Sequence, residues 1–293
     1  MRARQSGMGP ALPLEGRLDV AMTTFTSTAR IQGQFADAWR DLVRGYRSWE
    51  FWGAMAWNDI RQRYRRSILG PFWLTISMGI LVGTLGVLFA DLFGRSIPDF
   101  LPHIALGFIL WSLISSLVID GCDIFVKSRN IILEINAPTS IHNYRLVWRD
   151  LIIFAHNIWI FVAVALILNI WPGPVALLAI GGLALICFNG FWLSLLLGMI
   201  CARYRDVKPI VGSAMQIAFF LTPIIWKVDQ LSKRAELVEF NPFYHFIELV
   251  RQPLLGHAPA VISWIVVLGI TAVLAVVSFC AFARFRSRIP YWI

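Results

Sequence analysis

Three sets of side chains in this sequence have the chemistry to act on another molecule, and their spacing separates them. Asp120 and Asp123, in "DGCD", could hold a divalent cation or a sugar donor if further oxygen ligands lay close by. No DxD or second tight carboxylate pair accompanies them, so a helix end at a membrane surface is the better reading. His245 and Glu248 stand three apart and would share one helical face, where a structural polar contact outweighs a metal site. The other histidines, His103, His142, His156 and His257, lack ligand spacing, and Cys122, Cys187, Cys201 and Cys280 form no CxxC pattern. The cysteines read as small buried hydrophobes. The third set is Arg61, Arg63, Arg65 and Arg66 in "RQRYRRSILGPFW", which suits nucleic acid, a lipid headgroup, or the mouth of a membrane span.

Energy-yielding chemistry is missing. The sequence contains no GxxxxGK[ST], no GxGxxG after a strand, no HExxH and no GxSxG, so hydrolysis of a nucleotide would have to take place on another chain. Carboxylates such as Asp91, Asp99, Asp120, Asp123 and Asp150 fall at the ends of apolar segments, leaving His156, Asn157 and Asn189 as the notable polar groups deeper within them. Proton antiport is poorly served by that set, and each of the three reads first as a contact between helices.

Of the 293 residues, 58% are hydrophobic and 15% charged, against roughly a quarter charged in soluble domains. An all-α integral membrane protein follows. The net charge of +9 sits in short clusters between apolar stretches rather than in a stripe, which excludes a nucleic-acid binder. Six spans are expected near 72–92, 101–121, 150–170, 175–200, 208–226 and 260–283, with "WPGP" closing a tight hairpin between the third and fourth. Ahead of them, residues 37–70 show apolar residues at three- and four-residue spacing with arginines between. This predicts an amphipathic helix, or two broken near Gly53, lying in the membrane plane, because little partner surface is apparent for it elsewhere. The expected organisation is a poorly ordered tail at 1–34, an interfacial region at 35–70 and a six-helix domain at 71–290. Residues 1–21 lack the apolar core of a cleavable leader, so the spans would direct insertion, and Met22 offers a second start.

Most of the 26 lysines and arginines fall on one side if both termini are cytoplasmic, with "RYRRS", "ARYRDVK" and "ARFRSR" as flanking clusters. Two connections are more than turns. Residues 123–150 carry Ile131, Ile132, Leu133, Ile135 and Val147, which need cover. Either a short helix docks on another protein, or the second and third spans extend beyond the membrane and cap each other. Residues 227–259 include "FNPFYHFIELVRQPLLG", which predicts a short re-entrant helical element before the last span rather than a seventh span.

Taken in order, "DIRQRYRRSILGPFW", "IILEINAP", "ARYRDV", "TPIIW" and "NPFYHFIELVRQPLLG" resemble the permease subunit of bacterial ABC exporters for polysaccharides, of the O-antigen, capsule and teichoic-acid type. The resemblance implies a homodimer in the bacterial inner membrane, joined by two ATP-binding subunits that hold ATP and Mg, with no cofactor on this chain. It implies a lipid-linked glycan on a polyprenyl pyrophosphate as cargo. On this likeness Arg61, Arg63, Arg65 and Arg66 would guide the pyrophosphate. Ile131, Glu134, Asn136 and Pro138 would couple to the ATPase, where many relatives carry a Phe-Pro pair and this chain reads "NAP". Tyr204, Arg205 and Asp206 form a cytoplasmic block, and Asn241, Pro242, His245 and Arg251 would shape the channel exit. Two rivals stand beside this reading: a permease for a drug or small lipid, and a membrane-bound glycosyl- or acyltransferase, against which the lack of a catalytic cluster counts.

Overall fold

The computed structural model describes residues 33–63, 72–231 and 236–293. Two helices, α1 over 33–47 and α2 over Trp49–Arg63, precede α3 (Phe72–Leu92), α4 (Ile97–Cys122), the short α5 (Ile124–Lys127) and α6 (Arg129–Glu134), and α7 (Ile141–Ile167). The chain continues through α8 (Leu178–Arg203), α9 (Val207–Leu221), α10 (Glu236–Glu239), α11 (Pro242–Leu254), α12 (Val261–Phe285) and α13 (Ile289–Trp292). Among the described residues, five helices are long and apolar enough to cross a membrane, and α9 is apolar but shorter. This is an all-α, multi-pass membrane protein.

The bundle is built around α4. Phe100, Ile104, Leu106 and Leu110 are completely enclosed, because α4 packs against α3, α7 and α8 on successive faces. A helix apolar on all sides suits that central position. By contrast α3 and α12 leave Ile80, Leu88, Ile265 and Val276 exposed, as expected of faces solvated by lipid.

Span centres fall where the apolar runs place them, but several ends differ. The third expected span begins at Ile141, nine residues ahead of position 150, and its 27 residues reach about 40 Å at 1.5 Å per residue, beyond the bilayer core of about 30 Å. Its first turns lie outside the apolar layer, where α2 packs on them. The partner surface that the sequence did not suggest for the N-terminal helices is therefore α7 itself. The fifth expected span stops as a helix at Leu221, since Thr222 is extended at φ −90°, ψ 136° ahead of Pro223, which disfavours helix before it and has no N–H to continue one. The N-terminal break falls at Ser48, where the hydroxyl donates to Arg44 O at 2.8 Å; Gly53 lies within α2. That local bond competes with the helical ladder.

α11 is held close. Asn241 caps it by accepting from Phe243 N at 3.0 Å, with Pro242 in the first turn, a favoured pairing. It lies against α8 at Gly182, where an added Cβ would stand 2.6 Å from Leu249 O.

Candidate functional site

At one end of the bundle α1, α2, α5, α6, the 204–206 turn and α13 gather. Asp41, on α1, organises the junction. Its carboxylate accepts from Thr139 N and Ser140 N, both at 3.0 Å, and from Arg286 at 3.2 Å, while the Ser140 hydroxyl donates to Asp41 O at 3.0 Å. A carboxylate thereby satisfies backbone donors at the start of α7, with the helix dipole in its favour. Arg145 of α7 donates to Asp59 of α2 at 2.5 Å through Nε, a second tie to the N-terminal helices. Of the two readings of residues 123–150, the third span does begin early, at Ile141, while α4 ends at Cys122; α6 stands between them as a short helix with no buried residue.

The expected coupling residues lie on and after α6. Leu133 is 51% and Ile135 48% exposed, Glu134 and Asn136 are exposed, and Ile131 and Pro138 are half-buried. α6 touches α13, and the Arg203 guanidinium sits over the Tyr204 and Trp292 rings at 5.2 and 5.5 Å. Tyr204, Arg205 and Asp206 are exposed beside them. Arg61 is exposed in the last turn of α2 and Arg63 ends that helix. Arg65, Arg66 and the Arg63 side chain lie outside what the structure describes.

The "DGCD" carboxylates are taken up by cations. Asp120 accepts from Arg149 at 2.7 Å and Lys127 at 3.3 Å, and Asp123, the residue capping α4, accepts from Lys208 at 2.5 Å. The lysines offset negative charge that would otherwise face the helix C-terminus unfavourably. No group of three or more His, Cys, Asp or Glu side chains is placed to hold a metal ion among the described residues.

At the other end a buried network centres on Arg251, which is 1% exposed. Its Nε donates to Glu248 at 2.8 Å, its Nη1 to Pro223 O at 2.7 Å and to His103 Nε2 at 3.1 Å, and Gln252 donates to the second Glu248 oxygen at 2.5 Å. His103 Nε2 also stands 3.2 Å from Trp226 O. The sequence-level pairing of His245 with Glu248 is replaced by two separate sets of bonds: His245 meets Ser263 at 3.0 Å and Glu239 O at 2.7 Å. Asn241 donates to Thr222 at 2.9 Å. His245 and Arg251 are thus both buried within the bundle. Arg251 with Glu248 was readable as an i, i+3 pair; His103, 148 residues away, was not.

Between α3, α4 and α7 lies a cavity of about 630 Å³ lined by Ser77, Ser112, Ser115, Ser116, Asp150 and Asn157 among apolar neighbours. Asn189, the other polar span residue, donates to Leu185 O and Thr271 at 2.9 and 2.7 Å, the helix contact expected of it. His156 instead bonds Ile152 O of its own helix at 2.8 Å.

The ABC-2 type transporter family model matches residues 50–255. The O-antigen export system permease protein RfbA of Myxococcus xanthus is 23% identical over 189 residues, covering 63% of this chain and 72% of that protein. Two proteins of the same description from Klebsiella pneumoniae are each 21% identical, one over 65% of this chain and 74% of its own length, the other over 79% and 90%.

Proposed function

Because this chain belongs to the ABC-2 type transporter family, we infer that it is the membrane subunit of an exporter that moves a lipid-linked polysaccharide, of the O-antigen class, across the bacterial inner membrane. The observation that carries this reading is the family match over residues 50–255 together with relatives named as O-antigen export permeases. Transport is driven by a separate ATP-binding subunit, which holds ATP and Mg, and two copies of each chain form the complex. The missing nucleotide-binding motif in this sequence supports that division of labour.

The basic end faces the cytoplasm by the excess of Lys and Arg in its flanks, with both termini there. α6 docks on the ATP-binding subunit: Leu133 and Ile135 offer apolar contact, and Tyr204, Arg205 and Asp206 extend the same surface. Movement of α6 reaches the spans through α7, which begins seven residues after α6 ends. The exposed rings Trp39, Trp49 and Trp57 suit headgroup depth, where amphipathic aromatic rings partition. Arg61, Arg63, Arg65 and Arg66 attract the pyrophosphate of the cargo with charge-assisted donors. On the far side Asn241, Pro242, His245 and Arg251 fix α11 near the exit of a channel between the two copies.

Deleting the gene in its host tests the reading. Loss of one surface glycan, with its lipid-linked form accumulating inside, is the expected result. An unchanged surface glycan profile overturns it, and transport of a small hydrophobic compound by vesicles containing both subunits would favour the drug or small-lipid permease instead.

A further inference from the structure

The cavity between α3, α4 and α7 holds polar groups that the framework does not use. Asp150 and Asn157 stand two helical turns apart on α7 and are 2% and 3% exposed. Asp150 Oδ2 and Asn157 Oδ1 are buried without a hydrogen-bond partner among the described residues. Such atoms cost stability when left unmade, and here two of them belong to residues that line the same cavity, together with Ser112, Ser115 and Ser116 of α4 and Ser77 of α3. The volume of about 630 Å³ falls within the roughly 300–1,000 Å³ of sites for small molecules.

We propose that this cavity binds a saccharide unit of the cargo through its hydroxyl groups, within one protomer. The inference rests on the polysaccharide reading above and deepens it. A carbohydrate hydroxyl both donates and accepts; it can exchange either role with the serines, and donate to the Asp150 carboxylate and the Asn157 amide oxygen once those side chains turn into the cavity. Electroneutrality separates this ligand from a cation. Asp150 Oδ1 already accepts from Arg149 at 2.7 Å, and the same guanidinium reaches Asp120 at 2.7 Å, with Lys127 3.3 Å from Asp120. Two carboxylates thus face two cations, and no net negative charge remains for an added ion.

The test uses the full chain with its ATP-binding subunit in a host lacking the gene. Asn157→Leu removes a polar group of similar size, and Ser112→Ala, Ser115→Ala and Ser116→Ala together strip one wall. We expect each to lower surface glycan at least tenfold per inserted protein, with Asn157→Gln retaining part of the export. The melting temperature of purified Asn157→Leu should equal or exceed that of the wild type, because a binding group without a structural partner is being deleted. Export at the wild-type level overturns the proposal, as does a fall in melting temperature that accompanies lost export, which would mark a structural role. Replacing Na⁺ by K⁺ should leave wild-type export unchanged; a Na⁺ requirement abolished by Asn157→Leu would make the site a cation site and overturn it. If the wild-type gene itself restores no surface glycan, the polysaccharide reading has failed, a result distinct from any of these.

Discussion

The two ends of the spanning region treat buried polar groups in opposite ways. Around Arg251, both Glu248 oxygens, all three nitrogens of the guanidinium and the His103 ring are tied to one another and to the Pro223 carbonyl. Asn157 and Asp150 line a cavity, and each carries a buried oxygen with no partner among the described residues. Polar groups are costly to bury in either place, so the difference concerns what each set is for. The closed network fastens α11 and the turn after α9 to α4, and the open set leaves bonding capacity for something brought from outside.

Substitutions can break or sharpen that contrast. The largest effect is expected at Arg251→Met, which leaves Glu248 buried and unpaired and should cost about 3–5 kcal/mol. The double change Arg251→Met with Glu248→Met should recover most of the loss in a thermal unfolding series, and a failure to recover would mean that the bonds to Pro223 O and His103 carry the network. Next comes Asp41→Ala, which removes the acceptor for Thr139 N, Ser140 N and Arg286. About 2 kcal/mol is expected, read as a lower melting temperature and faster proteolysis of α1. Gly182→Ala drives a methyl against the Leu249 carbonyl and should cost about 1–2 kcal/mol; because this carbonyl is backbone, relief requires α11 to shift from α8. At the small end, Asn157→Leu should change stability by less than about 1 kcal/mol, in either detergent or lipid. A large loss there would erase the distinction between the two regions.

What the sequence made legible follows from the range of the forces involved. Continuous apolar runs reveal span centres because bilayer thickness acts on every residue of the run, and Pro223 marks the end of α9 by its own ring. The start of α7 at Ile141 was hidden, since the acceptor that satisfies its first donors is Asp41, far away in sequence. The break at Ser48 is marked by a single local hydroxyl bond, too small a signal beside the more conspicuous Gly53. Of the candidate residues, Glu248 and Arg251 could be paired from spacing alone, whereas the shared cavity of Asn157, Asp150 and Ser112 depends on how three helices cross. Asn157 and Asn189 read alike in the sequence, as contacts between helices; Asn189 donates to Thr271 of α12, whereas Asn157 Oδ1 has no partner among the described residues.

The Asp41 latch also constrains biosynthesis. The carboxylate and the Thr139 amide that it holds are separated by 98 residues, so α1 leaves the ribosome long before the start of α7 exists. At the usual 5–20 residues per second that interval is roughly 5–20 s. During it the newborn helix needs a resting place, and the aromatic side that Trp39 and Tyr46 keep uncovered even in the finished protein lets it wait at the membrane surface until two spans have been inserted.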